Sequence, residues 1–166
     1  YTYFNEDIDP RFPVLLTDEL EITIFCDSDH SHDKFTGRSI TGMIVFLGST
    51  PVSWVSKWQS SVQLSTYGAE FIALRQSVES EEDIRYCLRS MGIKVESPTV
   101  IFEDNQSVCI SSTDPESTLN KKNVALYYHY VREHVENKVV SIFKIPSKEN
   151  YGDPFTKALN SKAHGD

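Results

Sequence analysis

Apolar and polar residues alternate along three early stretches of this chain and recur at helical spacing along much of the remainder. From Glu21 to Asp27, the residues Ile22, Ile24 and Cys26 fall on one face of a strand. Ile40 to Leu47 and Val52 to Trp58 predict two more strands, joined at Gly48-Ser49-Thr50-Pro51, a turn signal. Tyr67, Phe71, Leu74 and Val78 then mark the buried stripe of a long helix. Ser65 or Thr66 can cap its start, and Gly92 can follow its end near Met91. Thr99 to Glu103 reads as a short strand, and Asp104-Asn105 can cap a short helix through Ile110. Val124, Tyr128, Val131 and Val135 predict a helix from Lys121 to Glu136. Val139 to Ile145 reads as a strand and Ser147 to Gly152 as a loop, and Asp153-Pro154 opens a last helix with proline in its first position. The three strands joined by short turns predict an antiparallel meander. The later strands, separated by helices, predict parallel additions, giving an α/β domain with a mixed sheet.

Length and composition narrow the class. The chain has 166 residues, enough for one domain with a substantial core, and its first residues carry no initiator methionine. Residues 1–19 are rich in proline and aspartate and read as an arm or linker cut from a larger protein, leaving 20–166 as the domain. No apolar run approaches the roughly 20 residues of a membrane span. Cys26, Cys87 and Cys109 match no zinc or disulfide spacing and sit in apolar patterns, so buried free thiols in a reducing compartment are expected. The net charge of −8 argues against a protein held on nucleic acid by bulk charge alone, though not against an enzyme that acts on it with bound cations.

Four acids stand at informative places: Asp27 in ITIFCDSD, Glu70 in LSTYGAEFIAL, Asp104 in TVIFEDNQS and Asp153 in NYGDPFTKAL. Asp27 and Asp104 end strands that, as neighbours, would release both side chains at one end of the sheet, where such sheets place ligands. Glu70 sits about 60° around its helix from Tyr67, on the shoulder of the buried stripe. Singly, each acid has an ordinary explanation as a cap, a first-turn acid or the close of a strand. Gathered at one sheet end, they would need positive charge, and hard oxygen donors without a His or Cys pattern suit Mg²⁺ or Mn²⁺. Two such ions about 4 Å apart are a recurrent device for phosphodiester hydrolysis.

These strings resemble the ribonuclease H domain of copia-type LTR retrotransposon polyproteins. The resemblance runs from Ile22 to Leu159 through CDSDHSHD, GRSITGMIVFLG, PVSWVSKWQSSVQLSTYGAEFIAL, FEDNQSV, YYHYVREHV and DPFTKAL. It implies an RNase H-like mixed five-stranded sheet, with three antiparallel strands and two parallel ones, flanked by helices. It also implies a catalytic and metal-binding set of Asp27, Glu70, Asp104 and Asp153, holding two Mg²⁺ for which Mn²⁺ can substitute. The implied reaction is hydrolysis of the RNA strand of an RNA–DNA hybrid to 5′-phosphate products during reverse transcription. The implied partner is the polymerase domain of the same polyprotein, inside the cell in a cytoplasmic virus-like particle. The chain departs from the family pattern at Gly68, where a second acid is usual, at Lys122-Asn123-Val124-Ala125, which lacks the usual His and Asp, and at Pro154.

A hybrid enzyme needs polar contacts to 2′-hydroxyls and phosphates and little base readout. Asn105, Gln106 and Ser107 follow a site aspartate and are candidates for the 2′-hydroxyls. Ser65 and Thr66, at a helix N-terminus, suit a phosphate. Lys57 with Trp58 and Gln59 is a candidate grip on the DNA strand, while Trp54 is expected in strand packing. His30 and His32 are expected in solvated loop positions near Asp27, and His129 on a helix face beside two tyrosines. The alternatives are a docking or connection module of the same fold without nuclease activity, and another two-metal nuclease such as an integrase-like enzyme.

Overall fold

The computed structural model describes residues 20–117 and 125–157; the predicted arm 1–19 and the first residues of the predicted helix from Lys121 lie outside them. Five strands form one mixed sheet: β1 (Ile22–Asp29), β2 (Ile40–Leu47), β3 (Thr50–Trp58), β4 (Thr99–Glu103) and β5 (Val140–Lys144), in the order β3-β2-β1-β4-β5. The β1–β2 and β2–β3 pairs are antiparallel, and β4 is parallel to both β1 and β5. This is the meander with two parallel additions that the pattern predicts. The helices are α1 (Thr66–Ser90), α2 (Gln106–Thr113) and α3 (Ala125–Glu136). Among the described residues, no helix is long and apolar enough to cross a membrane.

Period-two alternation decides which face carries the core. Ile22, Ile24 and Cys26 of β1 are buried with Phe71, Leu74 and Val78 of α1, Val108 of α2, and Tyr128 and Val131 of α3. All three helices therefore pack on one face. The opposite face carries a row of large side chains in register across all five strands: Trp54, Ile44, Phe25, Phe102 and Phe143. Phe25 stacks on Phe102 at 4.9 Å between ring centroids and meets Tyr151 at 4.8 Å. Trp54 lies at the end of this row on edge strand β3 and is 65% exposed, so the packing expected for it is not formed. Cys26 and Cys109 are buried free thiols as expected, whereas Cys87 is exposed. Its neighbours Ile84 and Leu88 take the positions on α1 that face the core, which turns Cys87 outward.

The element ends differ from the pattern in ways that bear on the site. β1 continues to Asp29, so Asp27 lies inside the strand, opposite Gly42 of β2. The α1 cap is Ser65, whose side chain accepts from the Gly68 N–H, and the helix stops at Met91 with Gly92 at φ +80°. Asn105, not Asp104, caps α2: its side chain accepts from the N–H groups of Ser107 and Val108. After β5 the chain makes short 3₁₀ turns at Ser147–Glu149 and Asp153–Phe155. Asp153 is the first residue of the second turn, which Gly152 precedes, and not the cap of a long helix within the described residues.

A polar clamp joins α1 to α3. Glu82 accepts from the Tyr130 hydroxyl at 2.6 Å and from His134 Nε2 at 2.9 Å, while His134 Nδ1 donates to the Tyr130 carbonyl at 2.8 Å. With acceptors at both ring nitrogens, the geometry favours the charged imidazole, which donates at both. Partial burial pulls the His134 pKa down, but the bonds to Tyr130 and Glu82 outweigh it and raise the pKa above the usual histidine value. Glu82 is lowered by the Tyr130 hydroxyl and by His134. The His134 contribution to stability is therefore full below about pH 6.5 and lost as pH rises through the raised pKa. The Glu82 contribution is present above about pH 4.3 and lost as pH falls through its lowered pKa. An NMR titration of the ring protons is expected to show His134 titrating above the usual range, and Glu82→Gln to bring it down. An unshifted wild-type titration would remove the clamp.

Candidate active site

Each site carboxylate is brought in by a different element. Asp27 comes from β1, Glu70 from the second turn of α1, and Asp104 from the residue after β4. Because Phe25 pairs with Phe102 in the parallel β1–β4 ladder, Asp27 and Asp104 stand two residues beyond the same rung. The three residues each offer one oxygen, and these oxygens lie within 4.8 Å of one another. Asp27 and Glu70 are 3% and 4% exposed.

The arrangement is electrostatically costly as it stands. Burial pushes the Glu70 carboxyl far up, reinforced by the charges of Glu103, Asp27 and Asp104. Burial also raises Asp27, with Asp104 and Asp153 adding to the shift and the Thr156 hydroxyl and Lys157 opposing it. Glu70 Oε2 is buried and accepts no hydrogen bond among the described residues. A buried carboxylate oxygen without a partner among the described residues, on a residue whose carboxylate stands beside two others, with no thiol or imidazole in the set, fits a hard divalent cation.

Asp153 stands beside this trio rather than within it. Its Oδ1 is bonded to the Lys157 ammonium, and its charge is near enough to raise Asp27. The turn that carries it is seated on the sheet through close approaches that only glycine permits. A Cβ at Gly42 would meet the Gly152 carbonyl oxygen at 2.6 Å and Thr156 Cγ2 at 2.6 Å, and one at Gly152 would meet the Cys26 carbonyl carbon at 3.0 Å.

Three groups at the site were not visible as site residues in the sequence. Glu103 is fully buried beneath the cluster, where it accepts from Cys26 Sγ at 3.3 Å and from the Asn105 N–H at 3.1 Å, and burial pushes its pKa up. Asn150 is buried and donates to the Cys26 carbonyl at 2.7 Å. Thr156 is 2% exposed and donates its hydroxyl to Asp27 Oδ2. The alternation along β4 and the good loop character of Asn150 were the available signals, and neither reports a contact between distant segments.

The candidate substrate contacts divide. Gln106, Ser107, Thr66 and Lys57 are exposed on the rim, and Asn105 and Ser65 are half-buried. Asn105 and Ser65 have their side chains in helix caps. Gln59 is corrected: it is 1% exposed, donating Nε2 to Thr41 Oγ1 at 3.1 Å and to the Ala69 carbonyl at 2.9 Å, so it holds α1 against the sheet and is not available as a grip on DNA. His30 Nε2 is bonded to the Gln63 carbonyl at 3.0 Å. His32 is bonded to Asp29 at 2.5 Å and lies edge-on to Trp58 at 5.5 Å. His129 is exposed on α3 against Tyr128, as expected.

Known proteins share stretches of this sequence and this fold. The chain is similar to the Pol polyprotein of transposon RE1 from Arabidopsis thaliana, with 29% identity over 144 residues that cover 87% of this chain and 10% of that protein. It is similar to the polyprotein of transposon TNT 1-94 from Nicotiana tabacum, with 29% identity over 81% of this chain and 10% of that protein. The chain thus spans about a tenth of the length of the curated relatives it matches. Among solved structures, it superposes on LC11-RNase H1 in complex with an RNA/DNA hybrid, with a TM-score of 0.64 and 14% identity over 87% of this chain and 99% of that one. No protein-family model matches the chain. Its homologues are retrotransposon Pol polyproteins and its fold is that of RNase H domains, as the motif resemblance implied.

Proposed function

We propose that this chain is a metal-dependent ribonuclease H domain that hydrolyses the RNA strand of RNA–DNA hybrids as part of a retrotransposon polyprotein. The observation that carries the reading is the convergence of Asp27, Glu70 and Asp104 within 4.8 Å, with Glu70 Oε2 buried and unpartnered. Asp153 is the fourth member of the set, reached when its bond to Lys157 opens. These four residues would hold two Mg²⁺ ions, or Mn²⁺ in their place. Bound divalent ions would supply Lewis acidity and lower the pKa of water.

The rest of the work falls to the chain. Asp27 and Asp104 are fixed by neighbouring parallel strands, and Glu70 by a capped 25-residue helix, so the donors are preorganised on rigid elements. In the reaction, a water oxygen bonds to phosphorus, the bond from phosphorus to the 3′ oxygen breaks, and the water's proton ends on that oxygen. The products are a 5′-phosphate and a 3′-hydroxyl. Gln106 and Ser107, exposed beside Asp104, and Asn105 reach 2′-hydroxyls. The start of α1 at Ser65 and Thr66 takes a phosphate through its N–H groups, and Lys57 contacts the DNA strand. With a net charge of −8, the chain depends on the polymerase domain of its polyprotein for added grip, in a cytoplasmic virus-like particle.

The test is cleavage of a hybrid labelled on its RNA strand, with Mg²⁺ or Mn²⁺, beside single-stranded and duplex RNA. Hybrid-only, cation-dependent cleavage is expected. Absence of cleavage at high protein and low salt, with or without the polymerase domain, would leave a docking module in place of the enzyme.

A further inference from the structure

We infer that Thr156 is a positioning residue for Asp27: its buried hydroxyl fixes one carboxylate oxygen so that the other is presented to Glu70 and Asp104. The inference rests on the proposed cation site and adds a residue to it. Asp27 and Thr156 are 129 positions apart, yet Thr156 Oγ1 donates to Asp27 Oδ2 in a buried setting. At 3% and 2% exposure, both groups are buried, so bulk water is poorly placed to replace this bond. Holding Oδ2 at one of its lone pairs sets the rotation of the carboxylate, and with it the direction in which Oδ1 faces a ligand.

The hydroxyl is itself held by a strap, residues 150–156, tied down at several points. Asn150 Nδ2 donates to the carbonyl of Cys26, the residue before Asp27, and Asn150 Oδ1 accepts from the Gly152 N–H at 2.9 Å. Ser56 Oγ of β3 donates to the Phe155 carbonyl at 2.6 Å. Gly42, the register partner of Asp27, and Gly152 let the strap lie against β1 and β2 with no intervening side chain. Thr156 Oγ1 has one proton and a second acceptor in reach, the Asp153 carbonyl at 3.0 Å; the charged carboxylate is the stronger of the two. Thr156 therefore links the segment carrying the fourth acid to the first acid of the cluster.

The probe is Mn²⁺ alone, titrated into the full chain and followed by electron paramagnetic resonance, with thermal melts run without metal. Thr156→Val keeps the shape that packs on Gly42 and removes the hydroxyl; Thr156→Ser keeps the hydroxyl. Expected are Mn²⁺ binding by the wild type, a 10–100-fold weaker affinity in Thr156→Val, in the range typical of residues that orient metal ligands, and affinity within about threefold of wild type in Thr156→Ser. If Thr156→Val does not fold, Thr156→Cys, a weaker donor of similar size, takes its place. Wild-type affinity in the variant that lacks the hydroxyl would overturn the positioning role and leave the cation site standing. Equal weakening in the valine and serine variants would assign the effect to packing of the strap and also overturn it. Absence of Mn²⁺ binding in the wild type would remove both the site and the inference.

Discussion

Asp104→Asn is expected to leave a folded protein that has lost metal-dependent cleavage of hybrids by at least about a hundredfold, beyond the 10–100-fold typical of losing a partner that merely orients a ligand. Asp104 is half-buried at the end of β4, and its charge is one of the causes that raise Glu70 and Asp27. Neutralising it removes a donor and, at the same time, a repulsion. The metal-free variant should therefore melt no lower than the wild type. Added Mg²⁺ or Mn²⁺ should raise the melting temperature of the wild type, because a ligand that binds only the folded state stabilises it by mass action. The same addition should raise that of the variant far less. The pairing of unchanged or improved metal-free stability with lost activity distinguishes a ligand from a structural acid. A variant that cleaves at the wild-type rate would exclude Asp104 from the chemistry, and one that melts well below the wild type without metal would mean that its charge is satisfied by the protein alone.

How far the sequence could be read differs between the sheet end and the strap. Strand and helix periodicities place Asp27, Glu70 and Asp104 because each acid interrupts or flanks an apolar repeat, and the β1–β4 pairing then brings two of them to the same level. The environment of the fourth was not legible. Residues 146–157 carry no period, and whether Asn150 or Thr156 is buried depends on Gly42 and Gly152 making room more than 100 positions apart in the chain. Gln59 misled for the opposite reason: it follows two exposed residues at the end of β3, but the start of α1 folds over it and supplies the Ala69 carbonyl as its partner. Trp54 reads as a core residue by type, yet it lies on the sheet face away from the helices, on an edge strand. Polar burial and apolar exposure are both set by contacts between segments, which a local pattern does not contain.

Arg85→Met is expected to cost about 3–5 kcal/mol of stability, the range found when one partner of a buried ion pair is removed. Glu81 is completely buried in the middle of α1, and Arg85, one turn on, is its cation: Nε donates to Glu81 Oε1 at 2.5 Å. The rest of the guanidinium is used as well. Nη1 donates to the Val95 carbonyl at 2.6 Å, and Nη2 donates to the Ser97 carbonyl and Thr99 Oγ1, both at 3.2 Å. One side chain thus ties α1 to the segment that leads into β4, the strand that delivers Asp104. Removing it leaves Glu81 as an uncompensated buried charge, with the Thr99 hydroxyl, at 3.1 Å, its one remaining donor among the described residues. For a chain of this size the loss corresponds to roughly 10 °C in melting temperature. Arg85→Lys should recover only part of it, since an ammonium cannot span the same fork of acceptors. The double change Glu81→Gln with Arg85→Met should be milder than the arginine change alone, because no buried charge is then left behind. Urea unfolding of the four proteins measures all of this. A loss below about 1 kcal/mol for Arg85→Met, or a double variant no better than the single one, would show that Glu81 is not held as a charge by Arg85.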